Sequence, residues 1–266
     1  MDYKIIFSDV DGTLLNSEHR MQEGTLKAIK SLKKKNIAFV IVTARGPSGI
    51  YPIFKRYNIV CPMVCYSGAL IIDEDGQIVY SKGICKNSAI RIIDYIESEN
   101  IDCTWNVYSM NSWIVNDKKD SRVIEEENIV EAEASEGKVE ELPNGTDIGK
   151  ILCMCNNNEI DEIEKKLKAK FPSLSIVKSS DTLLEIMERG VNKGEGIKVL
   201  CEKWKIDIEK TIAFGDNFND VDMLDTVGLP FLMGNAPKEL IERYNNITDN
   251  NDEEGIYKAL SKIELI

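Results

Sequence analysis

The sequence predicts an α/β protein: a doubly wound, mainly parallel sheet core whose chain is interrupted by an inserted α+β cap domain. Toward both ends of the chain, short uninterrupted apolar runs alternate with amphipathic segments, as strands and helices do around a parallel sheet. In the middle of the chain that alternation is lost. We therefore expect residues 1–84 and 189–266 to form the core and residues 85–188 the cap.

The first 80 residues show the alternation of strands and helices most clearly. An apolar run at 4–8 predicts a strand buried on both faces, and a stripe of Leu and Ile predicts a helix at 25–35. Asp75-Gly76 is a strong turn signal, so a hairpin is expected at 69–80. The other elements predicted here are strands at 38–42 and 63–66 and a helix at 50–57.

The middle of the chain mixes short strands with helices, and its aromatic residues Trp105, Tyr108 and Trp113 favour a cap core over substrate contact. Residues 125–141 are strongly acidic and are predicted neither as a helix nor as a strand. We expect them to form a solvated surface of the cap. Helices are expected at 88–97 and 159–170, and strands at 103–108, 112–115, 150–155, 175–177 and 183–187.

The alternation of strands and helices resumes after residue 189. Pro230 predicts that its strand lies at a sheet edge or begins there, because proline cannot donate to a strand ladder. The elements predicted are helices at 194–204, 220–225, 237–243 and 253–263 and strands at 211–214 and 229–233.

The composition restricts the possible partners. With 45 acidic and 33 basic residues, the net charge is −12, which argues against nucleic-acid binding and against docking on an anionic membrane. The single histidine, His19, excludes a multi-histidine metal site and is expected to be exposed. No run approaches the roughly 18 apolar residues that span a bilayer.

The cysteines and the N-terminal sequence indicate a cytoplasmic protein. Seven irregularly spaced cysteines, without a Cys-x-x-Cys pair, favour free buried thiols in a reducing compartment. Cys153 and Cys155 alternate with Leu152 and Met154, so the two thiols should share one face of a strand. The first residues carry neither the basic start nor the apolar stretch of a signal peptide.

Polar residues follow three strands of the predicted sheet: Asp9, Asp11 and Thr13 after the first, Thr43 and Arg45 after the second, and a later group that begins at Asp216. That later group comprises Asp216, Asn217, Asn219 and Asp220. Ligands bind outside the carboxyl ends of the strands in open parallel sheets, so these side chains should converge. Carboxylates so close together repel one another, and Mg²⁺ resolves the repulsion with oxygen ligands.

Lys193 and Thr43 would add donors for phosphate oxygens, so the expected chemistry is phosphoryl transfer. The spacing of glycines excludes a Walker-type nucleotide loop, a dinucleotide fingerprint and an EF-hand.

These motifs resemble those of the haloacid dehalogenase-like superfamily. Asp9-Val10-Asp11-Gly12-Thr13-Leu14 is similar to its first motif and Gly215-Asp216-Asn217-Phe218-Asn219-Asp220 to its fourth. Thr43 and Lys193 stand in the places of motifs two and three, and the insertion between them resembles the Cof-type subfamily with its α+β cap. The resemblance implies a Rossmann-like core and covers the whole chain, although Thr43-Ala44-Arg45 departs from the usual Thr-Gly-Arg.

The resemblance also implies a role for each residue. Asp9 would be the nucleophile and form an aspartyl phosphate, and Asp11 would act first as general acid and then as general base. Mg²⁺ would be held by Asp9, Asp11 through its backbone carbonyl, and Asp216, with Asp220 as a direct ligand or a supporting partner. The residues implied to bind phosphate or substrate are Thr43, Ala44, Arg45, Lys193 and Asn219; for Arg45 a surface ion pair is an equal alternative.

The expected function is hydrolysis of a small phosphorylated metabolite, such as a sugar phosphate, by an Mg²⁺-dependent phosphatase. Two alternatives remain open. One is a phosphomutase on the same scaffold, and the other is a non-enzymatic phospho-accepting signalling domain, which also uses Asp, Thr and Lys at strand ends. Neither the substrate nor the oligomeric state can be read from the sequence.

Overall fold

A computed structural model describes residues 2–266, and the chain divides into two compact units. Unit 1 contains the residues up to Ala44, Phe54–Tyr80 and Asn192–Ile266, and unit 2 contains Arg45–Ile53 and Ser81–Val191. The short segment Arg45–Ile53 is thus grouped with unit 2, whereas the sequence assigns it to the core. No helix within residues 2–266 is long and apolar enough to cross a bilayer.

Fifteen strands and nine α-helices are present in residues 2–266. The strands are β1 (Ile5–Ser8), β2 (Ala38–Val42), β3 (Met63–Cys65), β4 (Leu70–Ile72), β5 (Ile78–Ser81), β6 (Ile84–Cys85), β7 (Cys103–Ser109), β8 (Ser112–Val115), β9 (Ser135–Glu136), β10 (Asp147–Ile148), β11 (Lys150–Cys155), β12 (Leu174–Lys178), β13 (Leu183–Glu188), β14 (Thr211–Gly215) and β15 (Leu229–Leu232). The helices are α1 (Glu23–Lys34), α2 (Tyr51–Tyr57), α3 (Lys86–Ser98), α4 (Ser121–Val130), α5 (Ile160–Lys170), α6 (Lys193–Trp204), α7 (Val221–Leu224), α8 (Lys238–Ile241) and α9 (Gly255–Lys262).

The sheet of unit 1 has the order β15-β14-β1-β2-β3-β4-β5. All neighbours from β15 to β3 are parallel, and β4 pairs with β3 antiparallel, so the predicted mainly parallel α/β fold is confirmed. The predicted hairpin is present, with β4 and β5 adjacent and Asp73 N donating to Gln77 O at 3.0 Å. Pro230 lies in the edge strand β15, where its missing N–H costs nothing.

The core of unit 1 is built on alternate strand residues. Ile5 and Phe7 of β1 pack with Val40 and Val42 of β2 in one apolar cluster, which α6, α7 and α8 complete on that face. Ile6 of β1 is equally buried although it points to the opposite face. Burial on both faces explains why these strands are continuous apolar runs.

Unit 2 contains a second, mostly antiparallel sheet with the order β12-β13-β11-β7-β8-β9 and a separate β6–β10 pair. In β11, Cys153 and Cys155 lie in the apolar cluster beside α3 and α5, and Leu152 and Met154 lie in the cluster beside α4. The two thiols therefore share one face of the strand, as predicted. Unit 2 is thus an α+β arrangement with an apolar cluster on each face of its sheet.

The aromatic residues predicted to form the cap core do so. Trp105 and Trp113 are buried, and Tyr108 stacks on Trp113 at 5.3 Å between ring centroids. The indole N–H of Trp113 donates to Asn106 Oδ1 at 2.9 Å, so that both buried polar groups are satisfied. The one histidine, His19, is exposed, as predicted.

Several elements differ from the sequence-based expectation. Within the acidic stretch 125–141, helix α4 occupies the first part, and Val123 is its one fully buried side chain. A helix with so narrow an apolar face leaves no 3.6-residue pattern to recognise. The two C-terminal helices are shorter than predicted, and α9 begins only at Gly255 because Glu254 has a left-handed backbone, φ 61°.

Candidate active site

The strand order brings the predicted strand ends together. β14, β1 and β2 are consecutive in the sheet, and Asp9 N donates to Phe214 O at 3.0 Å, which extends the β1–β14 ladder to Asp9. In the sheet, β2 and β3 follow β1 on one side, and β14 and β15 lie on its other side. The space beyond β1 and β14 is therefore the topological switch point, where α/β sheets bind ligands.

Three carboxylates and one ammonium group meet at this switch point. Oxygens of Asp9, Asp216 and Asp220 all lie within 4.8 Å of one another. Lys193 Nζ donates to Asp9 Oδ1 at 2.5 Å and to Asp220 Oδ1 at 2.6 Å. Asp9, Lys193 and Asp220 are buried, with exposed fractions of 5%, 1% and 0%. We call the four residues Asp9, Lys193, Asp216 and Asp220 the carboxylate cluster.

The turn after β14 positions two members of the carboxylate cluster. Asp220 Oδ2 accepts hydrogen bonds from the backbone N–H groups of Asp216 and Asn217 at 2.9 and 3.0 Å. The Asp220 side chain therefore stabilises the turn that contains it. Gly215 makes this possible, because a Cβ at that position would come within 2.8 Å of Asp220 Cγ. Asp220 therefore uses one oxygen for Lys193 and the other for the turn.

The turn after β1 is fixed in a similar way. Gly12 has φ 78°, in the left-handed region, and a Cβ there would overlap the Asp216 carboxylate. The hydroxyl of buried Thr13 donates to Asp216 Oδ1 at 2.7 Å, which joins the β1 turn to the β14 turn. A side chain at position 12 would therefore separate the two turns.

Lys193 takes its position from the start of helix α6. Asn192 is the N-cap and its Oδ1 accepts the Glu195 N–H at 2.7 Å. Lys193 is the first helical residue, where a cation opposes the helix dipole. The contacts with Asp9 and Asp220 offset that unfavourable interaction.

The charges of the carboxylate cluster do not balance, since three carboxylates face one ammonium group. Burial raises the pKa of Asp9 well above its usual range against the opposing effect of Lys193, and Asp220 and Asp216 add to the increase. Burial also raises the pKa of Asp216 to about 6, which the hydrogen bond from Thr13 only partly offsets. Burial alone would lower the pKa of Lys193, but Asp220 and Asp9 hold it above its ordinary value.

These residues fit a hard divalent cation. All three possible ligands are carboxylates that lie close enough to share one ion. Together they can carry more negative charge than the single positive charge of Lys193 balances. Mg²⁺ prefers such oxygen ligands, and two positive charges would cancel the excess. Asp9 and Asp216 are better placed as direct ligands than Asp220, both of whose oxygens already accept hydrogen bonds.

Of the other predicted site residues, all but Arg45 belong to unit 1. They are Asp11, Thr43, Ala44, Asn219 and Arg45. Asp11 is exposed in the β1 turn, and its charge contributes to the raised pKa of Asp216. Thr43 is buried at the end of β2, and its N–H donates to Val64 O at 2.9 Å; Ala44 follows it in unit 1. Asn219 has an exposed side chain in the β14 turn. Arg45 is grouped with unit 2, where its Nη1 donates to Gly49 O at 3.5 Å.

The sequence did not assign roles to Thr13, Gly215 or Asn192. Asn192 carries a recognisable signal, because Asn directly before a helix is a favoured N-cap. Thr13 and Gly215 lie inside the quoted motifs, but the partner of Thr13 is in a different turn and that of Gly215 is five residues away. Such contacts have no signature in local sequence.

Both the sequence and the fold of this chain resemble those of known proteins. A family model described as haloacid dehalogenase-like hydrolase matches residues 6–260. A Haemophilus influenzae protein named "Putative phosphatase" is 37% identical over 262 residues, 98% of each chain. The 5-amino-6-(5-phospho-D-ribitylamino)uracil phosphatase YcsE of Bacillus subtilis is 29% identical over 264 residues, 98% of this chain and 95% of the relative. A haloacid dehalogenase-like hydrolase from Bacteroides thetaiotaomicron matches with a TM-score of 0.89 and 22% identity over 98% of this chain and 99% of that one.

The family match spans nearly the whole chain, and so does the relative of 37% identity. The chain therefore belongs to the haloacid dehalogenase-like hydrolases. Within that superfamily it is a phosphatase of the Cof type, so the resemblance found in the sequence motifs is confirmed.

Proposed function

We propose that this phosphatase is Mg²⁺-dependent and hydrolyses a small phosphorylated metabolite through an aspartyl phosphate on Asp9. The carboxylate cluster is the observation that carries the proposal: a buried nucleophile candidate contacts a buried lysine and lies within 4.8 Å of two further carboxylates. Its unbalanced negative charge at the switch point calls for a divalent cation, and an anionic phosphate needs the same positive charge.

In this proposal Asp9, Asp216 and the backbone carbonyl of Asp11 would hold Mg²⁺, and Asp220 would hold Lys193 and the β14 turn in place. When bound, Mg²⁺ supplies positive charge next to the phosphoryl oxygens. A bound divalent cation would favour the ionised forms of Asp9 and Asp216, whose pKa values burial raises.

In the first step, a carboxylate oxygen of Asp9 attacks phosphorus and the bond to the leaving oxygen breaks. Lys193 Nζ, 2.5 Å from Asp9 Oδ1, favours the ionised form of the carboxylate and offers a donor to the incoming phosphate. Asp11 gives its proton to the leaving alkoxide. The products are the free alcohol and the aspartyl phosphate.

In the second step, water attacks the phosphorus of the aspartyl phosphate. Asp11, now ionised, takes the proton of that water, and the bond to Asp9 breaks to release inorganic phosphate. An exposed side chain suits this role, because Asp11 must reach both the departing alcohol and the entering water. Thr43, Ala44, Arg45, Lys193 and Asn219 bind the phosphate or the substrate in this proposal.

A small metabolite is the substrate class that fits best. The relative YcsE is named for a phosphorylated ribitylaminouracil, which is a phosphomonoester of a polyol. In our proposal residues 1–84 and 189–266 are the catalytic domain, and residues 85–188 are the domain that sets substrate specificity. The net charge of −12 argues against nucleic-acid partners and anionic membranes. All seven cysteines are free thiols, which supports the proposed cytoplasmic location.

The decisive variant is Asp9→Asn, with Asp222→Asn as a matched control at an exposed aspartate of unit 1. Phosphate release from p-nitrophenyl phosphate should be lost in Asp9→Asn and retained in the control, with both variants folded by circular dichroism. EDTA should abolish the activity of the unmodified protein and Mg²⁺ should restore it. Activity in Asp9→Asn would refute the nucleophile, and activity in EDTA would refute the metal requirement.

The fate of the phosphoryl group separates hydrolysis from the two alternatives. A phosphatase releases inorganic phosphate in step with the alcohol, whereas a phosphomutase returns an isomerised sugar phosphate. A phospho-accepting domain would instead retain one phosphoryl group per chain without turnover. Phosphate release across a panel of metabolites therefore tests the reaction class and identifies the substrate at the same time.

A further inference from the structure

The turn that carries Asp9 and Asp11 receives a hydrogen bond from a residue outside the four motifs. Asn235, in the loop after β15, donates from Nδ2 to Gly12 O at 2.9 Å. Its Oδ1 accepts the Asn251 N–H at 3.1 Å. One side-chain amide thus joins the β1 turn to the loop 249–254, and all the residues involved belong to unit 1.

The loop 249–254 contacts the chain that leaves the β1 turn at two more points. Asn251 Nδ2 donates to Leu15 O at 3.0 Å. Asp252 Oδ1 accepts both the N–H and the hydroxyl of Ser17 at 2.9 Å. The loop 249–254 therefore contacts Leu15 and Ser17 directly and Gly12 through Asn235, which provides the contact nearest to the carboxylate cluster.

The position of this contact matters because of the backbone at Gly12. With φ 78° and no side chain, Gly12 allows the peptide between residues 12 and 13 to adopt more than one orientation. In the observed orientation the carbonyl faces Asn235, and the Thr13 hydroxyl reaches Asp216 Oδ1 at 2.7 Å. Rotation of this peptide would remove the Asn235 contact and displace both Thr13 and the neighbouring Asp11.

We propose that Asn235 is a positioning residue for the nucleophile turn: its amide fixes the Gly12–Thr13 peptide and thereby the placement of Asp11 and of the Thr13–Asp216 contact. This proposal rests on the proposed phosphatase mechanism. Because Asn235 is exposed, its hydrogen bonds compete with water and contribute little to the free energy of unfolding. Its removal should therefore affect turnover far more than stability.

The experiment compares Asn235→Ala, Asn235→Asp and the control Asn246→Ala, an exposed asparagine on the same unit. Asn235→Asp keeps an oxygen for the Asn251 N–H but replaces the donor to Gly12 O. With p-nitrophenyl phosphate and Mg²⁺, we expect kcat to fall about 10-fold in both Asn235 variants with KM changed less than about 2-fold. Asn246→Ala should match the unmodified protein in both constants, and all three variants should melt within about 2 °C of it.

Amide hydrogen exchange gives a readout that does not depend on activity. In Asn235→Ala, exchange should accelerate at residues 13–15 and stay unchanged in helix α6. Unchanged kcat in both Asn235 variants would overturn the proposal. A fall in kcat that is accompanied by a fall in melting temperature beyond about 2 °C would also overturn it, because the loss would then reflect stability. Normal kcat in Asn235→Asp with a loss in Asn235→Ala would also overturn it, because only the Asn251 contact would then matter. If the unmodified protein releases no phosphate, the proposed function fails, whereas unaltered exchange at residues 13–15 contradicts the positioning role alone.

Discussion

Replacement of Asp216 by asparagine should stabilise the metal-free protein at neutral pH. Burial raises the pKa of Asp216 to about 6, from 3.8 in an unfolded chain, and the charges of Asp220 and Asp11 oppose its ionisation further. Folding at neutral pH therefore forces a carboxylate into a site that disfavours its charge. Asparagine has nearly the same shape and keeps an oxygen that can accept the Thr13 hydroxyl.

The size and the pH dependence of this effect follow from the difference between the two pKa values. About two pKa units correspond to about 3 kcal/mol. Because the folded pKa lies above the unfolded one, the penalty is absent below pH 3.8, grows as pH rises and is complete above pH 6. At pH 5.0 about half of it should remain. For a protein of this size, 3 kcal/mol corresponds to a melting temperature higher by about 6 °C or more.

The assay is thermal unfolding in EDTA at pH 7.5 and pH 5.0, with Asp222→Asn as the control for loss of one exposed carboxylate. Asp216→Asn should melt above the unmodified protein at pH 7.5, with a smaller difference at pH 5.0. Addition of Mg²⁺ should raise the melting temperature of the unmodified protein and leave that of the variant nearly unchanged. A variant that is less stable than the unmodified protein at pH 7.5 in EDTA would show that the site does not disfavour the charge of Asp216.

Three further predictions concern the same site. Asp11→Asn should slow formation of the aspartyl phosphate, measured in a single turnover, about 100-fold for glycerol phosphate but much less for p-nitrophenyl phosphate, whose leaving group needs no proton; equal losses in this step would argue against a general acid. Lys193→Met should lower the free energy of unfolding in urea by about 3–5 kcal/mol at pH 7.5 in EDTA, because Asp9 and Asp220 lose their shared cation; a change below 1 kcal/mol would contradict the buried ion pairs. Gly215→Ala should weaken the Mg²⁺-induced rise in melting temperature, since the added methyl group displaces Asp220; an unaltered rise would show that the turn tolerates it.

The carboxylate cluster could be predicted because parallel sheets place strand ends at one edge. Asp9 and Asp216 are more than 200 residues apart, yet each directly follows a buried apolar strand. Once β1 and β14 are taken as neighbours, their convergence needs no further information. Lys193 was accessible by a different route, because a cation at a helix start opposes the helix dipole and so indicated an anionic phosphate partner. Its contacts with Asp9 and Asp220 were not predicted.

The contacts that position the carboxylate cluster could not be predicted in this way. Asn235 and Asn251 lie in loops that contact the β1 turn through single hydrogen bonds, and neither loop has periodicity. Helix α4 was missed for a different reason, since Val123 is its one fully buried side chain and no apolar stripe marks the helix. Hydrophobic periodicity in a sequence indicates burial, whereas the Asn235 and Asn251 contacts are polar and join distant segments.

The most direct test of the account is the identification of a phosphorylated Asp9. The protein with Mg²⁺ would be mixed with p-nitrophenyl phosphate, quenched in acid within its first turnover, digested and examined by mass spectrometry. We expect one phosphoryl group on the peptide that contains Asp9, lost on treatment with hydroxylamine, and none in Asp9→Asn. Phosphate release with no phosphorylated peptide at any time, or with the group on another residue, would contradict the account.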